Sequence, residues 1–155
     1  MAVLEAGSKA PDFLLPRDGG GNVGLADLKG KKVVLYFYPK DDTSGCTTEA
    51  IDFSARKAAF EAAGAIVIGV SPDSVASHDK FKKKHALTID LAADVDKAML
   101  EAYGVWQEKS MYGKKYMGVV RTTYLIDADG TIARVWQKVK VAGHVAEVLA
   151  AAQAL

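Results

Sequence analysis

The sequence predicts an α/β fold, with helices flanking a mixed central sheet in one domain over residues 1–155. Three observations predict it. Two continuous apolar runs, "KKVVLYFYP" (31–39) and "AIVIGVS" (65–71), read as strands buried on both faces. Each is followed by a stretch with helical periodicity. Near the end of the chain, the turn "DADG" (127–130) joins two strand-like runs, and an amphipathic helix follows.

In chain order, residues 18–30, "DGGGNVGLADLKG", read as a turn with a brief hairpin or helical turn, an N-terminal extension of the fold. The first main strand ends at Pro39. A helix is expected from about Gly45 to Ala63, with Ala50, Phe53, Ala58 and Phe60 on one side and Gly64 as its stop. Strand 65–71 ends at Pro72-Asp73. A Lys-rich helix over about 74–85, a short strand in "TIDLAAD" and a small helix in "VDKAMLEAYGV" follow. The terminal hairpin is expected as strand 119–126, turn Asp127 to Gly130 and strand 131–138, and residues 143–155 form the last helix. Alternating strands and helices need parallel strands with right-handed crossovers. A hairpin and helix added to such a unit is the thioredoxin arrangement.

Composition narrows the function classes. Half of the residues are hydrophobic, a quarter are charged and the formal charge is +1, an ordinary globular balance. Lys and Arg are spread along the chain, which argues against nucleic acid or an anionic membrane as partner. "MAVLEAGSKAPDF" lacks a basic stretch followed by an apolar one, and the longest apolar runs are too short to span a bilayer. A single cysteine excludes an internal disulfide, a CxxC dithiol and zinc clusters, and fits a reducing cytoplasm.

That cysteine, Cys46, stands among Asp41, Asp42, Thr43, Ser44, Thr47 and Thr48, where the first strand gives way to a helix. In open α/β sheets chemistry collects at such places. The first-turn N–H groups of a helix lack internal partners and carry partial positive charge, which favours a thiolate. Asp41 and Asp42 oppose it, so a strongly activated sulfur needs a cation. The antiparallel strand of the terminal hairpin starts beside the end of strand 33–38, and Arg121 stands near that start. Its guanidinium is therefore expected to reach Cys46, with a fork of donors that Lys lacks. Taken singly, each residue has a plainer reading. A lone cysteine is usually structural, Arg121 a sheet-edge residue, Thr43 and Ser44 helix caps, and Pro39 a strand terminator.

Several other motifs fail on context. "GGGNVG" (19–24) has neither the strand before it nor the long helix after it that a dinucleotide site needs. A cysteine-phosphatase loop needs Arg where Asp52 stands. "GCTTE" faintly resembles the thiol of thioester-forming aldehyde dehydrogenases, but without a cofactor fingerprint or a placed His. "DADG" lacks the downstream ligands of a calcium loop. His78, His85 and His144 have no metal spacing and read as solvated, and "KFKKKH" reads as a charged helix face.

Pro39, Thr43, Cys46 and Arg121 carry a resemblance to peroxiredoxins. The signature P-x-x-x-[ST]-x-x-C stands as "PKDDTSGC", and "YFYPKDDTSGCTTEA" is similar to the peroxiredoxin Q group, also called bacterioferritin comigratory protein. "GSKAPDFLLP", "VIGVSPDSVASHDKF", "YGVW" and "RTTYLIDADGTI" extend the likeness over nearly the whole chain. The resemblance implies a cytoplasmic, monomeric thiol peroxidase that reduces hydrogen peroxide and organic hydroperoxides without any cofactor. Cys46 would be the nucleophile, and Thr43 would hydrogen-bond the peroxide. Arg121 would hold the thiolate and polarise the O–O bond, Pro39 would shield the pocket, and the N–H groups of Gly45 and Cys46 would bind the peroxide oxygen. The group often has Pro where Ser44 stands. Its resolving cysteine is missing as well, since Ile51 and "HDKFKKKH" occupy the places where one occurs. An outside thiol, from thioredoxin, glutaredoxin, glutathione or a second copy, must therefore reduce the oxidised sulfur. The rival reading is a redox-regulated binding or sensor protein in which Cys46 oxidation is stoichiometric.

Overall fold

A computed structural model describes residues 3–155. Its five-stranded sheet has the order β5 (Asp90–Ala93), β4 (Ala65–Ser71), β3 (Lys32–Phe37), β8 (Thr122–Ile126), β9 (Ile132–Trp136). The first three strands are parallel; β8 and β9 run antiparallel to β3 and to each other, respectively. This is the mixed, thioredoxin-like sheet expected. The short hairpin of β1 (Leu14–Pro16) and β2 (Asn22–Gly24), followed by a 3-10 turn over Leu25–Leu28, forms the N-terminal extension. Among the described residues, no helix is long and apolar enough to cross a membrane.

Strand β3 is central, so its side chains build two cores by strict alternation. Val33, Leu35 and Phe37 pack on one face with Ile68, Val70, Tyr103 and Tyr124. Val34, Tyr36 and Tyr38 pack on the other with Phe53, Phe60, Phe81, Val145 and Val148. The second face is covered by α1 (Ser44–Ala55), α2 (Lys57–Ala62), α3 (Val75–His85) and α5 (His144–Ala154). Gly69 lies opposite Tyr36 in the β3–β4 register, and a Cβ there would stand 2.7 Å from the Tyr36 ring. This mid-strand glycine exists to let the aromatic ring lie flat. Gly69→Ala is expected to lower stability by about 1–3 kcal/mol, as overpacking does. The measurement is the denaturant midpoint, which should fall at unchanged slope.

Four boundaries differ from the sequence-based expectation. The helix expected over 45–63 is two helices, broken at Arg56. The break follows Ser54, whose hydroxyl accepts from the Thr88 amide and whose carbonyl accepts from the Thr88 hydroxyl. Because the helical phase changes there, Ala58 faces solvent rather than the core. The helix of "VDKAMLEAYGV" shortens to α4 (Ala98–Ala102). A hairpin absent from that expectation, β6 (Trp106–Met111) and β7 (Lys114–Val119), turns at Tyr112-Gly113 with positive φ at both residues. It takes up Val119, so β8 starts at Thr122 and Arg121 lies just ahead of it.

The N-terminal segment spans the sheet. Near residue 8 it bonds the outer side of β9, with Gly7 N–H donating to the Ile132 carbonyl and Ile132 N–H to the Ser8 carbonyl. Near residue 18 it bonds the outer side of β5, where Asp18 N–H donates to the Leu91 carbonyl and Leu91 N–H to Asp18 Oδ1. Arg17 bridges Ala92 on that same edge.

Candidate active site

The loop from Tyr38 to Thr43 joins β3 to α1, and Thr43 is the N-cap residue of that helix. Its carbonyl accepts from Thr47 N–H at 2.8 Å, while its hydroxyl donates to the Lys40 carbonyl at 2.9 Å and caps nothing. The first-turn amides of Gly45 and Cys46 are thus left without a side-chain cap. Cys46 is the third residue of α1, only 1% exposed, and its neighbours include the second core cluster.

Arg121 reaches this sulfur from the opposite strand. The β3–β8 register pairs Phe37 with Thr122, which puts Arg121 beside the loop that follows β3. Arg121 Nη2 donates to Cys46 Sγ at 3.2 Å, and Nη1 donates to Glu49 Oε1 at 2.7 Å. The guanidinium therefore bridges sulfur and carboxylate with two parallel donors, as a lysine could not. Burial disfavours its charge, but Glu49 and the sulfur outweigh that and push its pKa up. Gly45 makes room for it, since a Cβ at this position would lie 3.3 Å from Nη2.

Glu49 is the residue that sequence reasoning missed. It lies one helical turn after Cys46, is fully buried and has one oxygen, Oε2, without a partner. Burial raises its pKa to about 7, more than the attraction of Arg121 lowers it. A carboxyl whose folded pKa is raised stabilises the fold below its unfolded value, about 4.3. That contribution is lost as pH rises toward about 7. The Glu49→Gln variant is expected to lose less stability than the native chain between pH 5 and pH 8, measured by denaturant unfolding at both.

Asp41 and Asp42, which flank the cysteine in sequence, are engaged elsewhere. Asp42 pairs with Lys84 at 2.6 Å and His85 at 2.8 Å. Asp41 is buried and accepts from Tyr38, Ser77 and His78. The expectation of solvated histidines fails at two of the three, since only His85 reaches the surface. His78 is fully buried and His144 nearly so, because each meets a polar partner inside. His144 Nε2 lies 2.8 Å from the Thr123 hydroxyl, and burial lowers its pKa to about 4, so it is neutral. Asp41, Asp73 and His78 bring ligand-type atoms within 4.8 Å of one another, among the described residues. Asp73 Oδ2, both oxygens of Asp41 and both ring nitrogens of His78 are engaged in internal hydrogen bonds instead.

A fork of guanidinium donors on a cysteine at a helix N-terminus is a geometry for thiolate chemistry, and the relatives agree. Residues 6–135 match the AhpC/TSA family. Peroxiredoxin Bcp of Bacillus subtilis is 52% identical over 94% of this chain and 93% of its own. The chain is a peroxiredoxin of the Bcp/PrxQ group. Two solved structures of the group superimpose on this peroxiredoxin. The Xanthomonas campestris bacterioferritin comigratory protein, studied for its alkyl peroxide reduction activity, gives TM-score 0.90 and 45% identity over 99% of this chain and 98% of its own. PrxQ of Xylella fastidiosa gives 0.94 and 37% identity over the same shares. This peroxiredoxin is a thiol peroxidase with a single cysteine.

Proposed function

We propose that this peroxiredoxin reduces hydrogen peroxide and organic hydroperoxides at Cys46, as a cytoplasmic monomer, and is turned over by an external thiol. The observation that carries the reading is the Arg121 fork on Cys46 Sγ and Glu49. Organic hydroperoxides are included because the Xanthomonas campestris relative is described by its alkyl peroxide reduction activity.

The thiolate of Cys46 attacks the terminal peroxide oxygen. An S–O bond forms, the O–O bond breaks and sulfur loses two electrons; the leaving oxygen takes a proton and departs as alcohol or water. Negative charge grows on that leaving oxygen, and fixed donors aimed at it lower the barrier. Arg121, the Gly45 and Cys46 amides and the Thr43 hydroxyl, freed from Lys40, are the donors at hand. To Pro39, half-buried in the loop after β3, this reading assigns the shielding of the sulfur from water. The product is a sulfenic acid. An outside thiol attacks its sulfur, water leaves, and a second thiol releases the mixed disulfide. No second cysteine exists in the chain to do this.

The test is peroxide consumed per chain with excess dithiothreitol. Many turnovers are expected, whereas a stoichiometric sensor would stop near one. Parallel assays with thioredoxin, glutaredoxin-glutathione and dithiothreitol then assign the reductant.

A further inference from the structure

We propose that His78 is a positioning residue for the Cys46 loop: a buried imidazolium that clamps Asp41, and with it the entry to α1, onto α3. The inference deepens the peroxidase reading, since the loop it holds is the one that presents Thr43 and Cys46.

Hydrogen-bond accounting carries it. His78 Nε2 faces the Ala92 carbonyl at 3.0 Å, and Nδ1 faces Asp41 Oδ2 at 2.8 Å. A carbonyl can only accept. Asp41 in turn receives the Tyr38 hydroxyl on Oδ1 at 2.6 Å and the Ser77 hydroxyl on Oδ2 at 2.7 Å, the pattern of an ionised carboxylate. Against an ionised Asp41, acceptors stand on both sides, and the arrangement is complete when each ring nitrogen of His78 carries a proton. A neutral ring would turn a lone pair toward either Ala92 or Asp41, exchanging a bond for repulsion around a ring that is itself fully buried.

The groups facing His78 are Asp41 from the loop, Tyr38 from the end of β3, Asp73 from the β4–α3 connection, and Ser77 on its own helix. Tyr38 Oη is also 3.4 Å from Nδ1. Asp73 accepts from the Asp41 amide and from the Ser71 hydroxyl, so it fixes the loop backbone while His78 fixes the side chain. Burial opposes the imidazolium, but the bond and charge of Asp41 and the Ala92 carbonyl outweigh it, and the His78 pKa is raised. Burial holds Tyr38 neutral, well above its usual range.

The loop needs such a clamp because its next residue is strained. Asp42 has φ of 61°, a left-handed conformation costing about 1–2 kcal/mol for an L-residue. It is held there by Lys84 and His85, also from α3. Helix α3 therefore grips both aspartates that precede Thr43, one by a buried pair and one by an exposed pair. The strained peptide between the grips is the natural hinge for opening the first turn of α1, which must move for a thiol to reach a sulfur that is 1% exposed.

A group with a raised folded pKa contributes fully below its unfolded value, about 6.5 for histidine, and ceases to contribute as pH rises through the folded value. The clamp should therefore slacken on the alkaline side.

The experiment is a 15N NMR titration of the histidines in the reduced full-length protein, with His78 assigned by the His78→Asn variant. Amide hydrogen exchange of residues 47–50, whose N–H groups close the first turn of α1 on the carbonyls of residues 43–46, is corrected for the intrinsic rate, referenced to α5 and followed over the same pH range. The expected result is a doubly protonated His78 at pH 7, titrating above the ordinary histidine range. Protection of amides 47–50 should fall about tenfold through that titration, about one unit in log K. The His78→Asn variant should show low, pH-independent protection there and slower oxidation of Cys46 by hydrogen peroxide. A neutral His78 at pH 7 overturns the proposal, as does loop protection that ignores the titration. If the variant does not fold, the native titration and exchange decide alone. Neither readout requires turnover, so their failure is distinct from failure of the peroxidase reading.

Discussion

Cys46→Ser is expected to leave no measurable peroxide consumption under dithiothreitol, with the fold intact. A hydroxyl is nearly isosteric with the thiol, and α1 and the core around residue 46 should be undisturbed. What disappears is the only atom of the chain that can accept an oxygen atom and be reduced again by a thiol. Methionine sulfur can take oxygen from peroxide, but thiols do not return it at a comparable rate, so it supports no cycle. The measurement is loss of peroxide against time, with the unfolding midpoint as control. Retained turnover in a folded Cys46→Ser protein would remove Cys46 from the role of nucleophile.

The second large effect is expected at Arg121. Truncation to Ala removes the donor on Cys46 Sγ, the donor on Glu49 and the positive charge between them. Loss of one such preorganised electrostatic group costs about 10²–10³ in rate, and that is the fall expected in the rate constant for oxidation of Cys46. The variant also leaves the buried Glu49 without its partner, which lowers stability for a reason unrelated to catalysis. The double variant Arg121→Ala with Glu49→Gln separates the two effects. Stability should recover while the slow oxidation persists. Arg121→Lys keeps the charge but cannot bond sulfur and carboxylate together, so it should fall between native and Ala. An oxidation rate within about threefold of native in the Ala variant, far short of the loss of such a group, would exclude Arg121 from the chemistry.

The parts of this site that were legible in the sequence are those fixed by topology. Once β3 and β8 are read as antiparallel neighbours, the start of one must meet the end of the other. Arg121 and Cys46, distant in sequence, then converge without any knowledge of side-chain geometry. Glu49 was not read, although a signal existed: it follows Cys46 by three residues and precedes the buried pair Ala50 and Phe53 on the same helix face. A charged residue there reads as solvated unless its partner is known, and the partner comes from another strand. His78 failed for a similar reason. It shares a helix face with Phe81, three residues on, but the Lys-rich stretch around it masks that stripe. Its burial depends on Asp41, which the chain brings in from a loop. The β6–β7 hairpin is mostly exposed and lacks the alternation of a half-buried strand; only "YG" at its turn marked it.

The N-terminal segment has a consequence for the chain's solubility. A finite sheet leaves the free amides and carbonyls of its outermost strands open to any other polypeptide. In this fold one short stretch of chain meets both of these borders, bonding Ile132 of β9 from near residue 8 and Leu91 of β5 from the backbone and side chain of Asp18. Proteolytic removal of that stretch would uncover two adhesive margins at once. The truncated product should then recruit copies of itself into cross-strand aggregates rather than survive as a smaller enzyme.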